Sequence, residues 1–245
     1  MPQQLSDFSV LSFDCYGTLI DWEAGIRAAL RPLLAGAADR PDDGRALALF
    51  GEHEHRLQRE RPGCPYPELL AAVHDALARD FGIRSTAAMN RAFGESIADW
   101  PAFPDSSGAL RALQARYRLV ILSNVDRRSF AASADRLGID FDAVYTAEDI
   151  GSYKPDRRNF DYLLRHVQAD FGLDKADILH TAQSLLHDHV PARAVGLANA
   201  WIDRQGLSRG GSWGVTAPVE ERPAVDFQFD SLEAMATAVA TAFGP

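Results

Sequence analysis

The chain has 245 residues, 47% of them hydrophobic and 24% charged, the profile of an ordinary globular protein with one large or two modest domains. Its formal net charge of −9 argues against broad nucleic-acid or anionic-membrane binding, although a local pocket on an acidic protein can still be positive.

The first apolar run, "FSVLSF" (8–13), reads as a buried strand, and it ends on Asp14 with Gly17 and Thr18 just behind ("FDCYGT"). Residues 22–100 then carry helical periodicity in "GIRAALRPLLAGA", "ALALFGEHEHRLQRE", "PELLAAVHDALARDFG" and "NRAFGESIADW", which predicts a helical insertion closing at "WPAFPD" (100–105). Beyond it, "RLVILS" (118–123), "AVYTA" (143–147), "DILHTA" (177–182) and "ANAWID" (198–203) read as further strands. They alternate with helical segments such as "SSGALRALQARY" and "RNFDYLLRHVQADFG". This alternation predicts an α/β doubly wound parallel sheet. "GGSWG" (210–214) reads as a loop and "SLEAMATAVATAFG" as a closing helix. Ligands of such sheets sit outside the carboxyl ends of the strands. Asp14, Ser123, Lys154 and the loop 182–188 all fall there.

Each of these groups has an ordinary reading and a chemical one. A strand-end carboxylate such as Asp14 can be a nucleophile if cations stabilise it, or it can only cap its turn. Ser123 and Asn124 in "LSN" offer donors to an anion, or form a plain strand-to-loop turn. Lys154, in "SYKPD", precedes a proline and so sits on extended backbone, where its ammonium could keep Asp14 ionised or simply be solvated. Asp188 follows a strand in "TAQSLLHDHVPA". The "HDH" there and the "HEH" at 53–55 are poor metal motifs, because neighbours at i and i+2 do not face the same way. Cys15 and Cys64 form no disulfide framework and no CxxC. "MPQQLSDF" lacks the basic and apolar regions of a signal peptide, and no apolar run approaches the roughly 20 residues of a membrane helix. A reduced, cytoplasmic enzyme or binding protein is expected.

Asp14 to Thr18, Ser123, Lys154 and the segment around Asp188, in that order at successive strand ends, resemble the four motifs of the haloacid dehalogenase-like hydrolase superfamily. The resemblance covers nearly the whole chain. It implies a Rossmann-like core, residues 1–21 and 101–245, with residues 22–100 as an α-helical cap. It also implies Asp14 as nucleophile. The superfamily's phosphatases carry a second Asp two residues after the nucleophile and acidic residues in the fourth motif. Here the first position holds Tyr16, and in the fourth motif the first expected acid is Gln183 and only Asp188 remains. Tyr, with an ordinary pKa of about 10, is a weak acid and no magnesium ligand.

Asp-x-Tyr-Gly-Thr, "ILSN" and "YKPD" instead resemble the L-2-haloacid dehalogenase branch, which implies cofactor-free and metal-free chemistry. In that scheme Asp14 displaces halide from a small (S)-2-haloacid. The resulting aspartyl ester is hydrolysed near Asp188 to an (R)-2-hydroxy acid. Thr18 orients Asp14, Lys154 stabilises it, and Tyr16, Ser123 and Asn124 form the substrate-binding set. A homodimer is implied by the resemblance alone.

The branch's cap arginine falls on Gly51 and Glu52, with Arg56, Arg59 and Arg61 nearby. Phe160 stands for its tyrosine, and Gln183 and Leu185 for its serine and asparagine. A magnesium-dependent phosphatase, or a binding protein that kept the fold and lost turnover, are the alternatives.

Overall fold

The computed structural model describes residues 3–37, 41–212 and 216–244. The predicted loop 210–214 therefore lies partly outside the described residues. The first strand, β1 (Val10–Phe13), is buried at every position. The chain then makes four helices: α1 (Trp22–Leu34), α2 (Asp43–Glu60), α3 (Tyr66–Asp80) and α4 (Ala87–Glu95). It returns through α5 (Ser106–Gln114) and β2 (Arg118–Ser123). Next come α6 (Arg127–Leu137), β3 (Ala143–Thr146), the short α7 (Ala147–Ile150), α8 (Arg157–Phe171) and β4 (Ile178–Ala182). The last elements are α9 (Val190–Ala194), β5 (Ala198–Ile202), β6 (Phe227–Phe229) and α10 (Leu232–Phe243).

All strand pairings are parallel, in the order β3-β2-β1-β4-β5-β6. Parallel strands covered by helices on both faces need continuous apolar runs rather than alternation, which is what β1, β2 and β4 supply. The expected strands are present, with ends trimmed by a residue or two. A sixth strand, β6, had not been expected: it is three residues at the sheet edge and only half-buried. Its short length blunts the edge.

β1 is central. Phe13 pairs with Ile121 of β2 on one side and with Thr181 of β4 on the other. The chain fills one side of β1 with β2 and β3 before crossing to β4, so the order reverses at β1, the place where such sheets open a crevice. Asp14 lies at that point.

The helical insertion leaves and rejoins the sheet through two segments that pair with each other. Ile20 bridges Ala102, Asp21 N donates to Pro101 O (2.8 Å), and Phe103 N donates to Leu19 O (3.0 Å). Gly25 of α1 packs so closely on Trp100 that an added Cβ would lie 2.3 Å from the indole, which ties the first helix to the returning segment. Leu30, Leu33, Phe50, Leu69, Leu70, Val73 and Phe93 build the apolar interior of the four helices. The buried stripe of α2 runs Ala46, Leu47, Phe50, Glu54, Leu57, Gln58, a helical face on which two polar residues take apolar positions. Among the described residues no helix is long and apolar enough to cross a membrane.

Candidate active site

Asp14 N donates to Thr181 O (3.1 Å), extending the β1–β4 ladder by one residue and fixing the carboxylate at the strand end. The chain then turns back on itself, with Gly17 N donating to Ile20 O and both Leu19 N and Ile20 N to Cys15 O. Gly17 has φ +91°, a backbone region that suits glycine, and a Cβ there would press within 3.2 Å of both the Gln183 amide and the Trp22 indole. This turn aims Thr18 at the carboxylate. Thr18 Oγ1 donates to Asp14 Oδ2 (2.7 Å) and accepts from Gln183 N (2.9 Å), joining the turn to the end of β4.

Lys154 approaches from the loop before α8. Asn124, just past β2, clamps its backbone from both sides: Lys154 N donates to Asn124 Oδ1 (2.6 Å) and Asn124 Nδ2 donates to Lys154 O (3.0 Å). The side chain is almost completely buried. Its ammonium donates to Asp14 Oδ1 (2.9 Å), Asp188 Oδ1 (2.7 Å) and Leu122 O (2.9 Å). An ammonium has three donors, and all three are engaged.

Asp188 is carried on a π-helical turn, Leu185–His189, that follows β4. Its Oδ1 also lies 3.0 Å from His180 Nε2, and His180 Nδ1 lies 2.9 Å from Ser12 Oγ. With Nε2–H donating to the carboxylate, Nδ1 accepts from the serine hydroxyl. Ser12 and His180 stand side by side on β1 and β4. Phe160, the residue in place of the expected tyrosine, packs edge-on against the His180 ring. Asp188 Oδ2 is buried with no partner among the described residues.

Burial works against charge on both aspartates, and the single lysine offsets it unevenly. For Asp188, burial pushes upward, but Lys154 and His180 together hold the carboxyl well below the usual range. For Asp14, burial and the nearby Asp188 outweigh the pull of Lys154 and Thr18, and its carboxyl is raised. Lys154, despite its burial, is raised by its two carboxylates and stays charged. His187, beside Asp188, is pushed down by burial to about 4 and is neutral.

These groups floor a cavity of about 70 Å³, room for a few waters or a ligand of a few heavy atoms. Asp14, Lys154, Asp188, Asn124 and His187 line it from the sheet side. Trp22, Gly51, Glu54, His55, Gln58 and Tyr66 line it from the four-helix side. Gly51, where the resemblance implies an arginine, thus lines the cavity without a side chain. Glu52 is exposed. Among the described residues no arginine lines this cavity: Arg56 pairs with Glu60 on the surface, Arg61 is exposed, and Arg59 borders an adjoining wider cleft.

Of the expected substrate-binding residues, Tyr16 lines the cavity with its ring, but its hydroxyl is 2.8 Å from Ser133 Oγ on α6. Asn124 lines the cavity and spends its amide on Lys154. Ser123 Oγ is buried without a partner among the described residues, and Ser123 is not among the cavity-lining residues. Ser12, His180, Glu54 and Tyr66 were not singled out from sequence. The regular spacing of Phe50, Glu54, Leu57 and Gln58 is the one signal that could have put Glu54 inside.

The superfamily's phosphatases hold magnesium, and the donor set here does not suit it. Tyr16 offers no carboxylate, and the Gln183 amide is spent on Gln205 and Thr216. Among the described residues no group of three His, Cys, Asp or Glu converges as a metal site.

The whole fold is shared with solved structures. A defluorinating L-2-haloacid dehalogenase is 23% identical with a TM-score of 0.76, the match covering 98% of this chain and 99% of that one. The L-2-haloacid dehalogenase of Xanthobacter autotrophicus, solved with chloropropionic acid covalently bound, is 17% identical with a TM-score of 0.76, over 95% and 98% of the two chains. The Bacillus subtilis protein YfnB, solved with bound magnesium, is 18% identical with a TM-score of 0.74, also over 95% and 98%. At such identities these likenesses carry the fold, including a parallel-sheet core of the expected kind. No curated protein sequence matches. The sequence model of the haloacid dehalogenase-like hydrolases matches residues 8–180, well over half of the chain, including Asp14, Asn124 and Lys154. The chain belongs to the haloacid dehalogenase-like hydrolase family.

Proposed function

We propose that this hydrolase is a dehalogenase of small (S)-2-haloacids that works through an aspartyl ester at Asp14 and yields (R)-2-hydroxy acids. The observation that carries the reading is the pair of missing acids: Tyr16, two residues after Asp14, turns its hydroxyl to Ser133, and the Gln183 amide is held by Gln205 and Thr216, so neither position supplies the carboxylate that a phosphatase has there. The small cavity and the covalent chloropropionic acid adduct of the similar Xanthobacter enzyme support it further.

In the first half-reaction an Asp14 oxygen forms a bond to C2 as the carbon–halogen bond breaks, and halide leaves with the bonding pair. Thr18 and Lys154 each hold one carboxylate oxygen, so the group meets the carbon in a fixed orientation. In the second, water adds to the ester carbonyl carbon, the alkoxide leaves with a proton, and Asp14 is regenerated carrying one oxygen from water. Asp188 Oδ2, the free acceptor, takes the water's proton or orients it. Halide needs no general acid, which is compatible with Tyr16 beside the nucleophile.

The test is incubation with racemic 2-chloropropionate. Halide release, a single chiral lactate and, under single turnover in oxygen-18 water, label entering through Asp14 are expected. Label absent from both product and Asp14 refutes the ester. Phosphate release from phosphate esters that needs Mg²⁺ and stops in EDTA supports the phosphatase instead.

A further inference from the structure

Among the described residues that line this cavity, an entering anion finds no free cation. Lys154 has spent its three donors on Asp14, Asp188 and Leu122 O, and no arginine among the described residues lines the space. The residue that faces in from the four-helix side is instead another acid, Glu54. It is buried on α2, and its one hydrogen bond among the described residues comes from Tyr66, whose hydroxyl donates to Oε1 at 2.5 Å. That contact leaves Oε2 as the oxygen on which a proton can sit and be shared with a ligand. The two aspartates and the lysine already sum to one negative charge. A carboxylate ligand beside an ionised Glu54 would bring the enclosed charge to three.

We propose that Glu54 is the cap-side donor for the bound anion, and that the cavity takes up a small monocarboxylate together with one proton, which resides on Glu54. The ligand class rests on the dehalogenase reading; the proton coupling does not. Burial favours the same outcome, since it raises the Glu54 carboxyl to about 7, close to neutrality. The other titratable or charged groups around it are Tyr66 on α3, Tyr153 in the loop before Lys154, His55 and Arg59 on its own helix, and Asp14, Tyr16, Lys154, His187 and Asp188 across the cavity, Tyr16 being pushed up by burial and protonated. Tyr66 and Tyr153 are pushed up by burial and stay protonated, while His55 and His187 are pushed down by it. Asp14, also raised by burial, is the one other group that could take the proton.

The experiment is calorimetric titration of the intact protein with (R)-lactate, acetate and chloride at pH 6 to 9, in buffer pairs of different ionisation enthalpy. Uptake approaching one proton per ligand at pH 8 is expected, with affinity falling about tenfold per pH unit above neutrality. Glu54→Gln keeps a donor and the Tyr66 contact, so it should bind with no uptake and a flat pH profile. Uptake that survives in Glu54→Gln but vanishes in Asp14→Asn would overturn the proposal. So would failure of every anion to bind, or preferential binding of ethylammonium. Proton-coupled lactate binding without halide release from any 2-haloacid would leave this proposal standing and sink the dehalogenase reading. Halide release without uptake would do the reverse.

Discussion

Replacing Lys154 by methionine would remove the cation that bonds both buried carboxylates, and the size of the effect can be worked from the geometry. The facing oxygens of Asp14 and Asp188 lie 2.9 and 2.7 Å from the ammonium, so they are at most 5.6 Å apart, the sum of the two bonds. At that separation and an effective dielectric constant near 20, two unit charges repel by about 3 kcal/mol. Removing one partner from a buried ion pair generally costs about 3–5 kcal/mol. Protonation limits the damage: neutralising one aspartate in the folded state costs about 1.4 kcal/mol for each pH unit above its ordinary 3.8. The limit is high at pH 8 and only about 1–2 kcal/mol at pH 5. In the variant the carboxyls titrate above their unfolded value, so its stability is present in acid and is lost as pH rises. Urea unfolding followed by tryptophan fluorescence should therefore show a deficit of about 3–5 kcal/mol at pH 8 that shrinks to about 1–2 kcal/mol at pH 5. Adding Asp188→Asn should recover part of the pH 8 loss. A deficit that is equal at both pH values, or absent at pH 8, would refute this account of the buried triad.

Glu54 sets a second pH dependence: its folded carboxyl rises from 4.5 to about 7, so the protein is at full advantage below 4.5 and loses stability as pH climbs through 7. That rise corresponds to roughly 3 kcal/mol, and the slope of melting temperature between pH 5 and 9 should flatten in Glu54→Gln. Thr18→Val leaves the buried Gln183 N–H without its acceptor and should cost about 1–3 kcal/mol in chemical denaturation. It should also slow ester formation, because one Asp14 oxygen loses its donor. His180→Leu takes away one of the two donors that depress Asp188, so hydrolysis should slow more than attack. Intact-mass analysis of enzyme quenched during turnover of 2-chloropropionate should then show accumulated ester, whereas Asp14→Asn should show none. Equal slowing of both half-reactions in His180→Leu would count against a role for Asp188 in the second.

The sheet was legible because parallel strands buried on both faces must be written as unbroken apolar runs, and "RLVILS" marks β2 to the residue. β6 escaped because "FQF" is three residues long and half-exposed, too short to show a period. The strand-end groups were legible because each follows such a run directly: Asp14 after β1, Asn124 after β2, and Asp188 one turn beyond β4. Tyr16 shows where adjacency misleads. Its ring reaches the cavity, but its hydroxyl is satisfied by Ser133, 117 residues away on α6.

The same distance hid the rest of the site. Ser12 and His180 lie inside apolar strands, where a polar letter reads as a tolerated core residue, and only the parallel register of β1 and β4 makes them partners. Glu54 stood in "HEH", where the charges on either side suggest a solvated face, yet helical phase groups it with Phe50 and Leu57 rather than with His53 and His55. An acid on that face has to be neutralised, paired or used. Here its partner is a tyrosine, which donates a hydrogen bond and brings no charge, so the cost of ionising Glu54 stays in the folded protein. The lysine across the cavity from it is already divided between two aspartates. Among its described residues a cavity built this way has no spare positive charge to offer an anion, and holding a proton is the compensation left to it, which makes pH a direct readout of what it binds.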